Sequence, residues 1–235
     1  MSTLGAVLSY PRTKGIILVL MAAIFWGVSG TVAQYLFHQQ GFSTSWLVVT
    51  RLLVAGLGLL LFSQVVGKQN IWSVWKSKKD LLQLVVFGVV GMLGVQYTYF
   101  AAIEHGNAAT ATVLQYLAPV LIAIYICFQS KSLPVKQEIV AIVFALGGTF
   151  LLVTKGNIQT LTISGPAFAW GILSAFALAF YTLYPGKLLT KWGTILTVGW
   201  GMMIGGLGFS FLHPPWKFEG HWSPSSFLAV LFVVI

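Results

Sequence analysis

Seven stretches of roughly twenty mostly apolar residues follow one another along the chain, at 15–37, 46–66, 81–103, 107–128, 135–154, 165–184 and 194–212, and an eighth begins at residue 225. Short polar breaks separate them. A bilayer core about 30 Å thick is crossed by about 20 helical residues rising about 1.5 Å each, so these runs predict membrane-spanning helices. Inside lipid each backbone amide must be satisfied within its own segment, which points to an all-α polytopic membrane protein.

Composition agrees. Apolar residues make up 57% of the chain, charged residues 7%, and the mean hydropathy is +0.89, more than a soluble core requires. The net charge of +9 would suggest nucleic acid in a soluble chain, but its placement decides otherwise. Arg12, Lys14, Lys68, Lys76, Lys78, Lys79, Lys131, Lys136, Lys187 and Lys191 occupy alternate connections, whereas the other side has only Lys155 and Lys217. The positive-inside rule then places the N-terminus in the cytoplasm, and no nucleic-acid partner is expected.

Arg12 and Lys14 precede an apolar run, as in a signal peptide, but the run continues to Phe37 and no secreted domain follows, so it reads as an uncleaved first helix. In the connection 67–80, Trp72 and Trp75 lie beside Lys76, Lys78 and Lys79, the composition of an interfacial anchor. Cys127 is the only cysteine, so intrachain disulfides are excluded and packing is its expected role.

A weak internal repeat is present. Gly56-Leu57-Gly58 in the second run resembles Gly206-Leu207-Gly208 in the seventh, and with alternating topology these two helices run in opposite directions. Five-helix units starting near Gly15 and Gly165 would therefore be inverted relative to each other, with a solute site near the midplane between them. The domains expected on this basis are a first repeat at 15–154 and a second at 161–235.

Polar positions within the spans mark candidate contacts. Gly27, Gly30, Thr31 and Gln34 share one face of the first helix, and the glycines there suit close helix packing. Thr112, Gln115, Tyr116 and Pro119 form a stripe on the fourth, read as lining a cavity because a mid-helix proline frees a carbonyl that protein or water must satisfy. The alternative is simple interhelical hydrogen bonding. Arg51 is the only basic residue well inside a span, roughly one and a half turns into the second run. Burial there costs about 2.5 to 3.5 kcal/mol on insertion scales, so it either snorkels or meets carbonyls, Glu104 or a ligand carboxylate. Trp26, Tyr97, Tyr99, Tyr116, Trp170 and Tyr181 are the intramembrane aromatics, each open to packing or binding.

The four histidines fall in connections on one side, with no metal spacing, and no nucleophile elbow, phosphate loop or zinc signature occurs. Neither an enzyme nor a cofactor is expected. No buried aspartate is expected either.

The stretch YTYFAAIEHGNAATATVLQYLAPVLIAIYICF (97–128), followed by EIVAIVFALGGTFLLV (138–153), resembles the third to fifth helices of the EamA family in the drug/metabolite transporter superfamily. The Phe-Trp-Gly at 25–27, the placement of Arg51 and the Tyr-Thr-Leu at 181–183 are similar as well. Where many members carry an acidic residue just after the fourth helix, this chain has Gln129, Ser130 and Lys131. The resemblance implies a ten-helix carrier of two inverted five-helix repeats in the bacterial inner membrane, commonly exporting amino acids, other metabolites or drugs. A multidrug efflux carrier, or a non-transport membrane assembly or sensor protein, is the alternative. Alternating access would open a central cavity lined by the first, third, fourth and sixth helices. Substrate contacts would come from Trp26, Gln34, Tyr97, Thr112, Gln115, Tyr116 and Tyr181, with Arg51 as gate or anion partner. Expected partners are a small-molecule substrate, the lipid bilayer and, as one option, a second copy in a homodimer. Since the eighth run offers only about 16 Å of helix, a further 55 to 75 residues, roughly, are expected to encode two more spans, and 1–235 alone to carry little flux.

Overall fold

The computed structural model describes residues 11–131, 136–154 and 163–234, and among these every element is helical. In chain order they are α1 (Pro11–Gln40), α2 (Thr44–Val65), a 3-10 turn (Ile71–Lys76), α3 (Lys78–Glu104), α4 (Ala108–Ser130), α5 (Lys136–Thr154), α6 (Gly165–Leu183), α7 (Gly186–Trp192), α8 (Thr194–Ser210) and α9 (Pro224–Val234). The spans in α1, α2, α3, α4 and α6 are long and apolar enough to cross a membrane, and α5, α8 and α9 contain shorter apolar helices. The chain is a polytopic helical membrane protein.

Short polar side chains set the helix starts. Ser43 accepts from Trp46 N–H at 3.3 Å to open α2, and Asn107 accepts from Thr110 N–H at 2.8 Å to open α4. Ser164 does the same for α6 through Ala167 N–H, with Pro166 in the first turn, where its missing N–H costs nothing. The connection expected between the sixth and seventh runs folds instead into α7. It begins after Pro185 and stops at Gly193, whose φ of +78° suits glycine.

Two spans are irregular, each for a local reason. α4 breaks at Tyr116 and Leu117, because Pro119 has no N–H to offer the Gln115 carbonyl one turn back. α3 widens into a π-helical stretch at Phe87–Leu93, where Gly88 meets α8. A Cβ added at Gly205 would lie 2.6 Å from the Gly88 carbonyl oxygen, and one at Gly88 2.8 Å from the Gly201 oxygen. Backbone meets backbone there, so only glycines fit.

The most extensive helix contact joins α2 to α8. A Cβ on Gly56 would sit 3.0 Å from Met202 Cβ and Met203 N, and one on Gly206 would sit 2.9 Å from Leu53 and 3.1 Å from Leu52. The same offset in sequence separates Gly56 from Gly206 and Leu52 and Leu53 from Met202 and Met203, so each contact is the image of the other. Because Gly199 meets Leu59 and Leu60 at the opposite end, the two helices run antiparallel. A self-complementary antiparallel contact is what an inverted repeat requires.

The connections gather at two faces. On one, His38 Nε2 is 2.9 Å from the Glu104 carbonyl oxygen, Ser164 Oγ donates to the His105 carbonyl at 2.8 Å, and His221 N–H donates to the Gln40 carbonyl at 2.8 Å. This is the histidine face. The opposite, lysine face holds the 3-10 turn and α7. Here Trp72 and Trp75, both exposed, also pack their rings at 5.3 and 4.9 Å on Trp200 of α8, with Ile71 and Val74 buried beneath. One expectation changes. Asp80, expected in solvent, is buried at the start of α3, where its carboxylate accepts from Lys191 Nζ at 2.5 Å and Trp192 Nε1 at 3.2 Å. The formation of α7 supplies both partners.

Candidate functional site

A cavity of about 710 Å³ lies among α1, α2 and α9. Ala22, Phe25, Trp26 and Ser29 face it from α1, Arg51 from α2, and Leu228, Leu231, Phe232 and Val233 from α9. Each contributing stretch shows helical spacing, as expected when one face of a helix lines a space. A narrow recess of about 20 Å³ continues from Trp26, Ser29 and Arg51 toward Val95, Gln96 and Tyr99 of α3. The wall is thus apolar with polar groups gathered at one side, the usual composition of a small-molecule site.

Arg51 is half-buried, with its guanidinium over the Phe100 ring at 5.4 Å from the centroid. Among the described residues no carboxylate pairs with it, Glu104 included; the ion pair found there is Asp80–Lys191. Ser29 Oγ is buried beside it without a hydrogen-bond partner. Trp26 packs edge-on to Tyr99 at 6.2 Å. The Tyr99 hydroxyl is 2.9 Å from Thr112 Oγ1, which donates to the Ala108 carbonyl at 2.7 Å, and Gly30 gives that hydroxyl room, since a Cβ there would lie 2.6 Å away. Tyr99 is therefore held from α4 while its ring edges the recess.

The residues singled out in the sequence divide accordingly. Trp26 and Arg51 line the cavity, and Thr112 reaches it through Tyr99. Gln34 uses its side-chain oxygen to accept from Ala108 N–H at 2.8 Å, satisfying a free amide at the start of α4. Tyr97 packs between Trp170 and Phe209, and Tyr181 stacks on Phe87. Tyr116 is exposed, and Gln115 is wholly buried with neither amide atom hydrogen-bonded. Ser29 and Gln96 were not singled out in the sequence, and Tyr99 stood only among the intramembrane aromatics, not among the substrate contacts. Helical spacing could have suggested them, since Ser29 follows Trp26 by one turn and Tyr99 follows Gln96 likewise.

The cavity also differs from the expected one in its walls. The fourth and sixth helices do not line it, because they close on each other: Gly171 admits Leu114 where any side chain would collide, and Ala175 and Ala179 pack with Leu117 and Leu121. Further along that seam a second, mostly apolar groove of about 560 Å³ opens beside Tyr125, Phe128 and Phe176. No group of histidine, cysteine, aspartate or glutamate among the described residues could hold a metal ion.

Comparison with known proteins places this geometry. The EamA-like transporter family model matches residues 13–154. The chain is 46% identical over 220 residues to the uncharacterized inner membrane transporter YicL of Salmonella typhimurium, a match covering 93% of this chain and 72% of that protein. It is 27% identical to the uncharacterized transporter YyaM of Bacillus subtilis, over 63% of this chain and 48% of that one. One crystal structure superposes with a TM-score of 0.60 at 17% identity, over 92% of this chain and 75% of its own, a likeness of fold alone.

Proposed function

Since this chain belongs to the EamA-like transporter family, we propose that it is an inner-membrane secondary transporter that exports small metabolites, amino acids among the candidates, by alternating access. The observation that carries this reading is the reciprocal contact of α2 with α8, flanked by a cavity whose one charge is Arg51. Two inverted units, at 15–154 and from 161 onward, would rock about that seam. The glycines keep it smooth and close, and small sliding of packed helices is the cheapest motion such a contact permits. Trp26 and Arg51 would contact solute, with Tyr99 held in place by Thr112.

Tyr97, Gln115, Tyr116 and Tyr181 lie away from the cavity in this state, and Gln115 is the member whose surroundings ask for another state. Leaving both amide atoms unpaired in a buried site costs about 1 to 3 kcal/mol, which a partner in the alternate arrangement would relieve. The lysine face is assigned to the cytoplasm by its charge, so α1 starts inside. Energy would come from a proton or solute gradient, or from the substrate's own gradient, and this sequence shows no phosphate loop.

The test is metabolite profiling. Cells expressing the full-length gene should accumulate at least one small solute in the medium above an empty-vector control, and Arg51→Gln should remove the difference at equal protein level. Identical profiles for the vector and the gene would overturn the transporter reading.

A further inference from the structure

We propose that the cavity beside Arg51 selects amphipathic organic monoanions, a carboxylate on an apolar or aromatic body, over zwitterions and cations. This rests on the transporter reading and narrows its substrate class, setting amino acids, which are zwitterions, aside.

Among the residues lining the cavity and its recess, Arg51 carries the only formal charge, and none is acidic. Nor does any described carboxylate neutralise it from outside the lining, since the acid that could have done so at this depth, Glu104, is not within ion-pair distance. An unpaired guanidinium inside a membrane bundle is a functional group by default, and a bound anion is the partner that removes its cost. A zwitterion brings an ammonium that no acid here receives. A cation is repelled outright.

Geometry gives the anion a place. The guanidinium lies over the Phe100 ring, 5.4 Å from its centroid, and its planar fork of N–H groups suits a two-pronged hydrogen bond to carboxylate oxygens. Ser29 Oγ, buried and unpartnered, lines the cavity and the recess alongside Arg51 and supplies a further donor. Gln96 and Tyr99 add neutral polar atoms in the recess. Phe25, Leu228, Leu231 and Phe232 supply apolar lining that offers a solute body hydrophobic contact. A volume of about 710 Å³ is ample for such a molecule.

The anion could be a soluble carboxylate or the phosphate of a lipid headgroup, and the proposal commits to the soluble one. Three probes share a phenyl ring and differ in charge: hydrocinnamate, phenylalanine and phenethylamine. Calorimetric titration into the purified protein in phosphatidylcholine nanodiscs should show hydrocinnamate binding at least about tenfold more tightly than the other two, the ratio one charged hydrogen bond supports. Arg51→Gln should abolish that preference and Arg51→Lys should keep its sign, while Ser29→Ala weakens hydrocinnamate by up to about tenfold. Phenylalanine or phenethylamine binding the wild-type protein as tightly, or no binding by any probe, overturns the proposal without needing a variant that folds. Loss of hydrocinnamate binding when phosphatidylglycerol is added to the disc assigns the cavity to lipid and likewise overturns it. Hydrocinnamate binding without hydrocinnamate flux in proteoliposomes would sink the transporter reading and leave the ligand class standing, whereas phenylalanine flux without hydrocinnamate binding would do the reverse.

Discussion

At the histidine face, Phe42, Trp46, Phe218 and Trp222 pack with ring centroids 5.0 to 6.0 Å apart, and Trp46 Nε1 donates to the Pro215 carbonyl at 2.8 Å. At the lysine face, Trp72, Trp75 and Trp200 form a smaller cluster, and Trp200 Nε1 donates to the Ile71 carbonyl at 2.8 Å. In each case an indole from one half of the chain is tied to a loop carbonyl of the other. The difference lies beside the rings. Among the described residues no ion pair joins the connections at the histidine face, which are held by bonds such as His221 N–H to the Gln40 carbonyl, whereas the lysine face adds the Asp80–Lys191 ion pair, whose lysine is 53% exposed. Apolar ring packing is indifferent to salt, and a half-exposed ion pair is not. The two ends thus close by a common device, and the lysine face adds to it a contact that salt weakens.

Five experiments test that contrast, and the first is all-or-none. In a Cys127→Ala background, a cysteine replacing Lys78 should resist an impermeant thiol reagent in intact cells, while one replacing Lys217 should react. The opposite pattern would exchange the faces and remove the cytoplasmic assignment of the ion pair. Next in size is truncation of the two indoles. Trp46→Ala and Trp200→Ala should each cost about 3 to 5 kcal/mol, because both rings are buried and would leave cavities; thermal unfolding in detergent measures it.

Between the faces, Gln115→Leu should raise stability by about 1 kcal/mol or more, since it replaces an unpaired buried amide with an apolar side chain of similar size. A loss of stability would mean that the amide has a partner. Trp46→Phe and Trp200→Phe keep an aromatic ring but lose the N–H, and each should cost about 1 kcal/mol by the same assay. The smallest effect belongs to the ion pair. Asp80→Asn should increase labelling of a cysteine placed at Ile71 by at most about fivefold at low salt, with the gain shrinking as salt rises, and should leave labelling at the histidine face unchanged. Equal loosening of both faces would show that they move as one unit.

Much of this protein was legible before any coordinates. Run length fixed the spans because a bilayer imposes one length on every crossing, and lysine placement sorted the connections onto two faces that the hydrogen bonds between loops reproduce. The glycine triplets at 56–58 and 206–208 marked the helices that turn out to pack on each other, because a close seam admits no side chain. The site was only partly legible. Arg51 stood out as a charge in an apolar run, and Trp26 as an intramembrane aromatic, and both line the cavity.

Periodicity states that one face of a helix is polar, but not whether that face meets a cavity, a neighbouring backbone or another side chain. Gln34 and Gln115 are alike in sequence, yet one satisfies the first amide of α4 and the other has no partner, because only the placement of α4 against α1 brings Ala108 N–H within reach of Gln34. Tyr97 and Tyr99 lie two residues apart and point to different neighbours, so one is enclosed by Trp170 and Phe209 and the other reaches Thr112 beside the cavity. Asp80 reads as a loop acid until α7 forms and delivers Lys191 and Trp192 to it. Solvent chemistry acts on each segment separately and is written along the chain. Which polar group meets which depends on segments far apart in sequence, and packing alone decided that.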